Sequence, residues 1–240
     1  MQECSLRIEV SHDPAELYQL FQLRYQNYVE HYGEKQRYAD HSKKMIVDPE
    51  DEYSLHLVAK WNQKIIGGTR VTLWKKLPEK LFDNQKRMTS YFSHCGIDWP
   101  EIIPRELSAS CAKICTVPGL PDFYWPPIEQ KTRLGMILLY EQSRHCFLHG
   151  TEINIGVFQP KLSDYVQPLG FRTVQKNIKA SYNDNGKNDY HLNAHFMWDQ
   201  SRLVQLESPL RHILSGESAS KEKTERLKSW LEAFKQKASF

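Results

Sequence analysis

A chain of 240 residues with 40% hydrophobic and 12% aromatic content can bury a sizeable core, which excludes a disordered protein and fits one globular domain. The formal net charge of +3 is too mild to point to nucleic acid, and no DNA- or RNA-recognition motif accompanies it. Five cysteines (Cys4, Cys95, Cys111, Cys115 and Cys146) are odd in number and form no CxxC pair, so reduced and mostly buried thiols are expected rather than a disulfide framework or a zinc site.

The opening MQECSLRIEV lacks the basic and apolar regions of a signal peptide, and the longest apolar run, Met136 to Tyr140, is too short to span a bilayer. A cytoplasmic location is the expectation. After a short strand at Leu6 to Val10, Asp13-Pro14 reads as an N-cap followed by proline at the first helical position. Leu17, Leu20, Phe21, Tyr25, Tyr28, Val29 and Tyr32 then recur at helical spacing until Gly33 supplies a stop. Arg24 lies within that stripe, where it either snorkels from the rim or faces an anionic group inside the fold. Residues 34–52 read as a long polar connection or a loosely held helix.

A hairpin follows, Leu55 to Lys60 and Lys64 to Leu73 about a turn at Asn62-Gln63, with Gly67-Gly68 marking a bulge or a close backbone approach. From Lys60 to Arg87 eight Lys/Arg stand against Glu79 and Asp83, an excess that suits an acidic partner or a solvated face. Segment 74–100 is basic and aromatic without periodicity. RELSASCAKICTV, residues 105–117, reads as a strand whose small side chains from Ser108 to Ala112 leave space beside it. Glu106 opens that strand.

Beyond a Pro-rich loop, a helix is expected from about Glu129 to His149, then a central strand at TEINIGVF, apolar on both faces. A short helix opens at Pro160, and YHLNAHFMWD gives a late strand. The order is α/β (α+β), in one domain over 1–217 with a helical tail over 218–240. In the tail Leu227, Trp230, Leu231 and Phe234 share a face that docks back on the chain or on a second copy as a homodimer.

The chain resembles the GNAT superfamily of N-acyltransferases. That resemblance implies a mixed, mostly antiparallel central sheet flanked by helices, and a Q/RxxGxG/A turn that binds the pyrophosphate of coenzyme A or of a phosphopantetheine arm. The matching stretch, QKTRLG, runs from Gln130 through Arg133 to Gly135, with Arg133 in place of the first glycine. A narrower resemblance, over roughly residues 20–171, is to acyl-homoserine-lactone synthases, N-acyl amino acid synthases and exosortase-associated acyltransferases. LRYQNYVEHYG is similar to RYxVYxEE, DPEDEYSLHLVA to DxYDxxSxHLVA, IIGGTRVTL to VGTxRL, RELSAS to ExSR, and VFQPKLSDYVQPLGF to their closing segment.

Carried over residue by residue, the resemblance implies an ion-pair group of Arg24, Asp48, Asp51 and Arg70 beside the acceptor site, with Glu106, the acid of ExSR, as the best candidate to take the proton that an amine attacking a thioester must lose, directly or through water. Ala109 replaces the arginine of that motif, which argues against a standard homoserine-lactone product. Tyr165, one residue from the position of the GNAT tyrosine that protonates the leaving thiolate, is the candidate acid; Ser108 and Ser110 leave room for the pantetheine arm. The implied activity is transfer of an acyl group, a fatty one foremost, from acyl carrier protein or acyl-CoA to a small amine acceptor, an amino acid foremost; the alternatives are acetyl transfer from acetyl-CoA and a noncatalytic acyl-binding or regulatory protein on the same scaffold. No tightly bound cofactor or metal is called for. The acyl carrier protein, being acidic, would meet the basic stretch from Lys60 to Arg87.

Overall fold

The computed structural model describes residues 6–79, 81, 105–126, 129–151, 153–166, 171–179 and 189–196. Strand β1 (Leu6–Ser11) leads into helix α1 (Pro14–Tyr25). Asp13 Oδ1 accepts the Ala15 N–H at 2.8 Å, and Pro14 occupies the first turn, where no backbone donor is needed. The helix then widens into a π-turn, Gln26–His31, before Gly33 at φ +66° ends it. That widening turns Asn27 inward, where its Nδ2 donates to Leu23 O at 3.1 Å and its Oδ1 accepts the Thr116 N–H at 3.4 Å.

Residues 34–52 are neither a loose connection nor a helix. Strands β2 (Ala39–Asp40) and β3 (Met45–Ile46) form a small ladder, and a 3₁₀ turn, Asp51–Tyr53, follows. Ile46 is buried, but so are Glu34, Asp48, Glu50 and Asp51. The segment is held by charges meeting partners from elsewhere in the chain, a kind of order that hydrophobic periodicity does not report.

The main sheet is completed by β4 (Leu55–Trp61), β5 (Lys64–Leu73), β6 (Ser108–Thr116), β9 (Ile153–Phe158), β10 (Phe171–Lys179) and β11 (Asp189–Phe196). Its order is β1-β4-β5-β6-β9-β11-β10, and every neighbouring pair is antiparallel except β6 with β9. The β4–β5 hairpin forms as expected, with Asn62 and Gln63 both left-handed (φ 51° and 64°), as a two-residue turn between twisted strands requires. Strand β9 is central, between β6 and β11, which its apolar faces foretold.

Helix α2 (Leu134–Leu148) starts later than expected. Glu129, at φ 50°, reverses the chain so that β8 (Gln130–Thr132) pairs with β7 (Phe123–Trp125), a hairpin inside what read as a loop and a helix start. Likewise Arg105–Leu107 is a 3₁₀ turn, not the start of β6. Helix α3 (Pro160–Val166) precedes β10, a strand that polar-rich FRTVQKNIK does not announce. Among the described residues no helix is long and apolar enough to cross a membrane. The expected tail over 218–240 and most of segment 74–100 lie outside the described residues.

Helices α1 and α2 pack on opposite faces of β5, and two successive glycines let both approach. A Cβ on Gly67 would stand 2.8 Å from Leu134 Cδ2 of α2, and one on Gly68 would stand 2.5 Å from Leu20 Cδ1 of α1 and 2.6 Å from Leu57 O. Because the Leu57 carbonyl belongs to a paired strand, it cannot yield as a side chain can. Gly68→Ala is expected to cost about 1–3 kcal/mol, the usual range for an overpacked core. Urea unfolding checks this, and a midpoint equal to the parent's would refute so close an approach.

Candidate functional site

Strands β6 and β9 stay paired only from Ser108 opposite Ile153 to Ser110 opposite Ile155. Beyond that point they part, and a cavity of about 750 Å³ opens between them. The slot reaches both faces of the sheet. On one side it meets the N-terminus of α2, with Arg133, Leu134 and Gly135; on the other it meets the π-turn and the segment after it, with Tyr28, Tyr32, Glu34, Gln36 and Glu50. Apolar side chains, including Ile114, Leu139 and Phe158, line the passage between the two ends.

A second irregularity shapes the wall. Strand β6 carries an extra residue against β5, between the pairs Ala112–Arg70 and Cys115–Gly68, and Lys113 takes φ 59° there. The bulge sends the lysine toward α1: its Nζ donates to Gln36 Oε1 at 2.7 Å, stands 3.4 Å from Asp48 Oδ2 and lies 5.4 Å from the centre of the Tyr28 ring.

The charges behind this wall form one buried group. Arg24 Nη1 donates to both Asp51 carboxylate oxygens at 2.9 Å, and Arg70 Nη1 donates to Asp48 Oδ2 at 2.8 Å and to Asp51 Oδ1 at 3.2 Å. Asp51 Oδ2 also accepts the Asp48 N–H at 2.7 Å, which closes the loop on itself. His56 Nε2 donates to Asp51 O at 2.9 Å, so its Nδ1 is the acceptor for Arg24 Nη2 at 3.3 Å. Arg24 is fully buried, which settles its role: it faces an anion inside the fold and does not snorkel.

Burial acts against every charge in this group, and the partners decide which way each one moves. Burial would raise the Asp51 carboxyl, but Arg24 and then Arg70 outweigh it and hold it well below the usual range. Burial followed by the Arg24 charge lowers His56 to about 4, and burial lowers the Lys113 ammonium against the pull of Asp48. Glu34 and Glu50 move the other way, raised by burial more than Gln36 and Arg70 respectively can offset.

The expected site residues divide between the two ends and the outside. Arg70 and Ser110 line the cavity, as do Arg133 and Gly135; Arg24, Asp48 and Asp51 stand behind it. Arg133 is the N-cap position of α2, and space beside Gly135 is open, since a Cβ there would meet nothing within 4 Å. Gln130 lies in β8, before the helix terminus. Ser108 is buried at the closed end, paired with Ile153, and leaves no room. Glu106 is exposed in its 3₁₀ turn and does not line the cavity, because the strands diverge only after Ser110. Tyr165 falls in the last turn of α3, and its side chain lies outside the described part.

Sequence reading missed Glu34, Gln36, Glu50 and Lys113. Glu50 takes the tyrosine position of DxYD, a departure that could have drawn notice. The thiols of Cys111, Cys115 and Cys146 are buried, with Cys111 Sγ 3.7 Å from Cys146 Sγ.

No protein-family model and no curated protein matches the chain. Solved structures do. The acyl-homoserine-lactone synthase LasI superposes with a TM-score of 0.59 at 11% identity, over 85% of this chain and 95% of its own. The CoA-dependent acyl-homoserine-lactone synthase BjaI, with SAM and isopentyl-CoA, gives 0.58 at 15% identity, over 88% and 89%. The fold is GNAT-like. FeeM, an N-acyl amino acid synthase from uncultured soil microbes, shares this GNAT-like fold with a TM-score of 0.53 at 11% identity, over 80% of this chain and 91% of its own.

Proposed function

We propose that the protein is an acyltransferase that moves an acyl group from a phosphopantetheine thioester, on acyl carrier protein or coenzyme A, to a primary amine. The observation that carries this reading is the slot through the sheet, with a helix N-terminus at one end and a charged wall at the other. Backbone N–H groups in the first turn of α2 attract a phosphate, and the open space at Gly135 admits one. A narrow apolar passage suits the pantetheine arm and acyl chain. BjaI, solved with isopentyl-CoA, and the N-acyl amino acid synthase FeeM lend support through the fold they share with this chain. The test is mass spectrometry of the purified protein with acetyl-, octanoyl- and palmitoyl-thioesters of coenzyme A and of an acyl carrier protein, in the presence of mixed amines. An N-acyl amine is the expected product; thioester binding without any product would make this an acyl-binding protein.

The basic stretch proposed for the carrier protein is narrower than the sequence implied. Lys60 pairs with Glu9 and Glu16, and Arg70 is buried, so neither presents charge to a partner. Lys75 and Lys76 are exposed in the 3₁₀ turn Trp74–Lys76. Charge reversal at both is expected to weaken use of an acyl carrier protein about tenfold at low salt while sparing short thioester analogues. Equal loss with both donors would remove the carrier surface from these lysines.

A further inference from the structure

Three buried cations, Arg24, Arg70 and Lys113, share the region of the cavity's charged wall with four buried carboxyls, Asp48, Asp51, Glu34 and Glu50. The cations have aspartates: Arg24 holds Asp51, while Arg70 and Lys113 converge on Asp48. His56, lowered to about 4, adds no positive charge at neutral pH. The glutamates are differently placed. Glu34 Oε2 accepts from the neutral Gln36 amide at 2.7 Å. Glu50 Oε2 stands 3.8 Å from Arg70 Nη1, beyond hydrogen-bond length, and its carboxyl has no hydrogen bond from another residue among those described. Glu50 is 5% exposed and lines the cavity.

We propose that this wall receives the acceptor as an ammonium ion without a carboxylate, and that Glu50 takes the proton from the attacking nitrogen. The inference rests on the acyltransferase reading and narrows its acceptor class. An ammonium group supplies Glu50 with a donor beyond its own backbone N–H and, among the described residues, the positive charge by which the acids exceed the cations. A free amino acid, the acceptor expected from the sequence resemblance, would also bring a carboxylate. At Arg70 Nη1 and Lys113 Nζ that group would compete with Asp48, which both already meet, and elsewhere on the wall it would stand beside Glu34 and Glu50. Alkyl diamines and amino acid amides avoid this conflict.

In the step itself the ammonium gives one proton to Glu50. The neutral nitrogen attacks the thioester carbonyl carbon and forms the C–N bond; the C–S bond breaks, the thiolate takes a second proton from nitrogen, and Glu50 releases its proton to solvent. Glu50 is suited to the first transfer because it lines the cavity, which Glu106 does not. The groups around Glu50 are Arg70, Asp48 and Asp51 within the charge group, with Glu34, Lys113, Tyr28 and Tyr32 on the same cavity wall. Burial raises Glu50 more than Arg70 lowers it, toward the range where a carboxylate is an effective base.

The experiment compares 1,4-diaminobutane, phenylalanine and phenylalanine amide as acceptors for one octanoyl thioester, using the parent, Glu50→Gln and Glu106→Gln. The diamine and the amide are expected to exceed the free amino acid at least tenfold in kcat/KM. Glu50→Gln should lower kcat about 10²- to 10⁴-fold and abolish the acid limb of the pH–rate profile. Calorimetric titration with phenylalanine amide should show weaker binding by Glu50→Gln, whose melting temperature should be no lower than the parent's, since a buried carboxyl has been removed. Preference for the free amino acid overturns the acceptor class. An unchanged rate and profile in Glu50→Gln, or a larger loss in Glu106→Gln, overturns the assignment of the base. No product from any amine instead sinks the acyltransferase reading, which keeps the two failures apart.

Discussion

Arg24→Met is expected to destabilise the fold by about 3–5 kcal/mol, the usual cost of stripping one partner from a buried ion pair. Arg24 is the bidentate partner of Asp51, and methionine would fill much of its volume while leaving that carboxylate with Arg70 Nη1 at 3.2 Å and the Asp48 N–H at 2.7 Å. His56 Nδ1 would lose its donor as well. Urea unfolding of parent and variant measures the difference. The double variant Arg24→Met, Asp51→Asn should regain part of the loss, because the uncompensated charge is gone while the amide can still meet Arg70. A single variant with the parent's midpoint would mean that the charge group contributes nothing to stability, whatever its geometry.

Acidification should act through His56. Its folded value is lowered to about 4 from an ordinary 6.5, by burial first and the Arg24 guanidinium second. A group depressed in the folded state stabilises it above the unfolded value and loses that contribution as pH falls toward the folded one. The window is therefore pH 6.5 to 4, and the contribution about 3 kcal/mol at most. The geometry gives the same sign, for a proton on Nδ1 would turn an N–H toward the Arg24 Nη2 N–H, two donors and two charges facing each other. Glu34 and Glu50, raised in the folded state, act oppositely below neutrality, so the comparison must be differential. His56→Gln should flatten the stability-against-pH curve between pH 6.5 and 4 relative to the parent, measured by urea unfolding at fixed ionic strength. Parallel curves would rule out His56 as the titrating group.

The hairpin, the α1 start and the central strand were legible because each is written in local chemistry: a two-residue turn, an Asp-Pro cap, apolar residues on both faces. The group of Arg24, Asp48, Asp51 and Arg70 was legible only through resemblance, since nothing local pairs residues 19 to 27 positions apart. Lys113 was not legible at all, and Glu50 only as a departure from the tyrosine of DxYD. Lys113 enters the wall through a bulge, which turns a residue of a strand away from the face that alternation would assign it. Glu50 is fixed by the same aspartate loop that Arg24 and Arg70 hold, so its position depends on the assembled group. Glu106 lies off the cavity for the opposite reason: its motif matched, but where a cavity opens is decided by the divergence of β6 and β9, which one strand's sequence does not contain.

The buried charge group also has a kinetic side. Its members come from α1, the 3₁₀ turn at Asp51–Tyr53, and strands β4, β5 and β6, so it is complete only when the helix has docked on a finished hairpin. A half-assembled version strands charges away from water and gains little, so its closure is expected late on the folding route. Contacts formed after the rate-limiting barrier do not hasten folding; they slow escape from the native state. The cluster is thus a latch, and the quantity it governs is how long a folded molecule survives before it first opens.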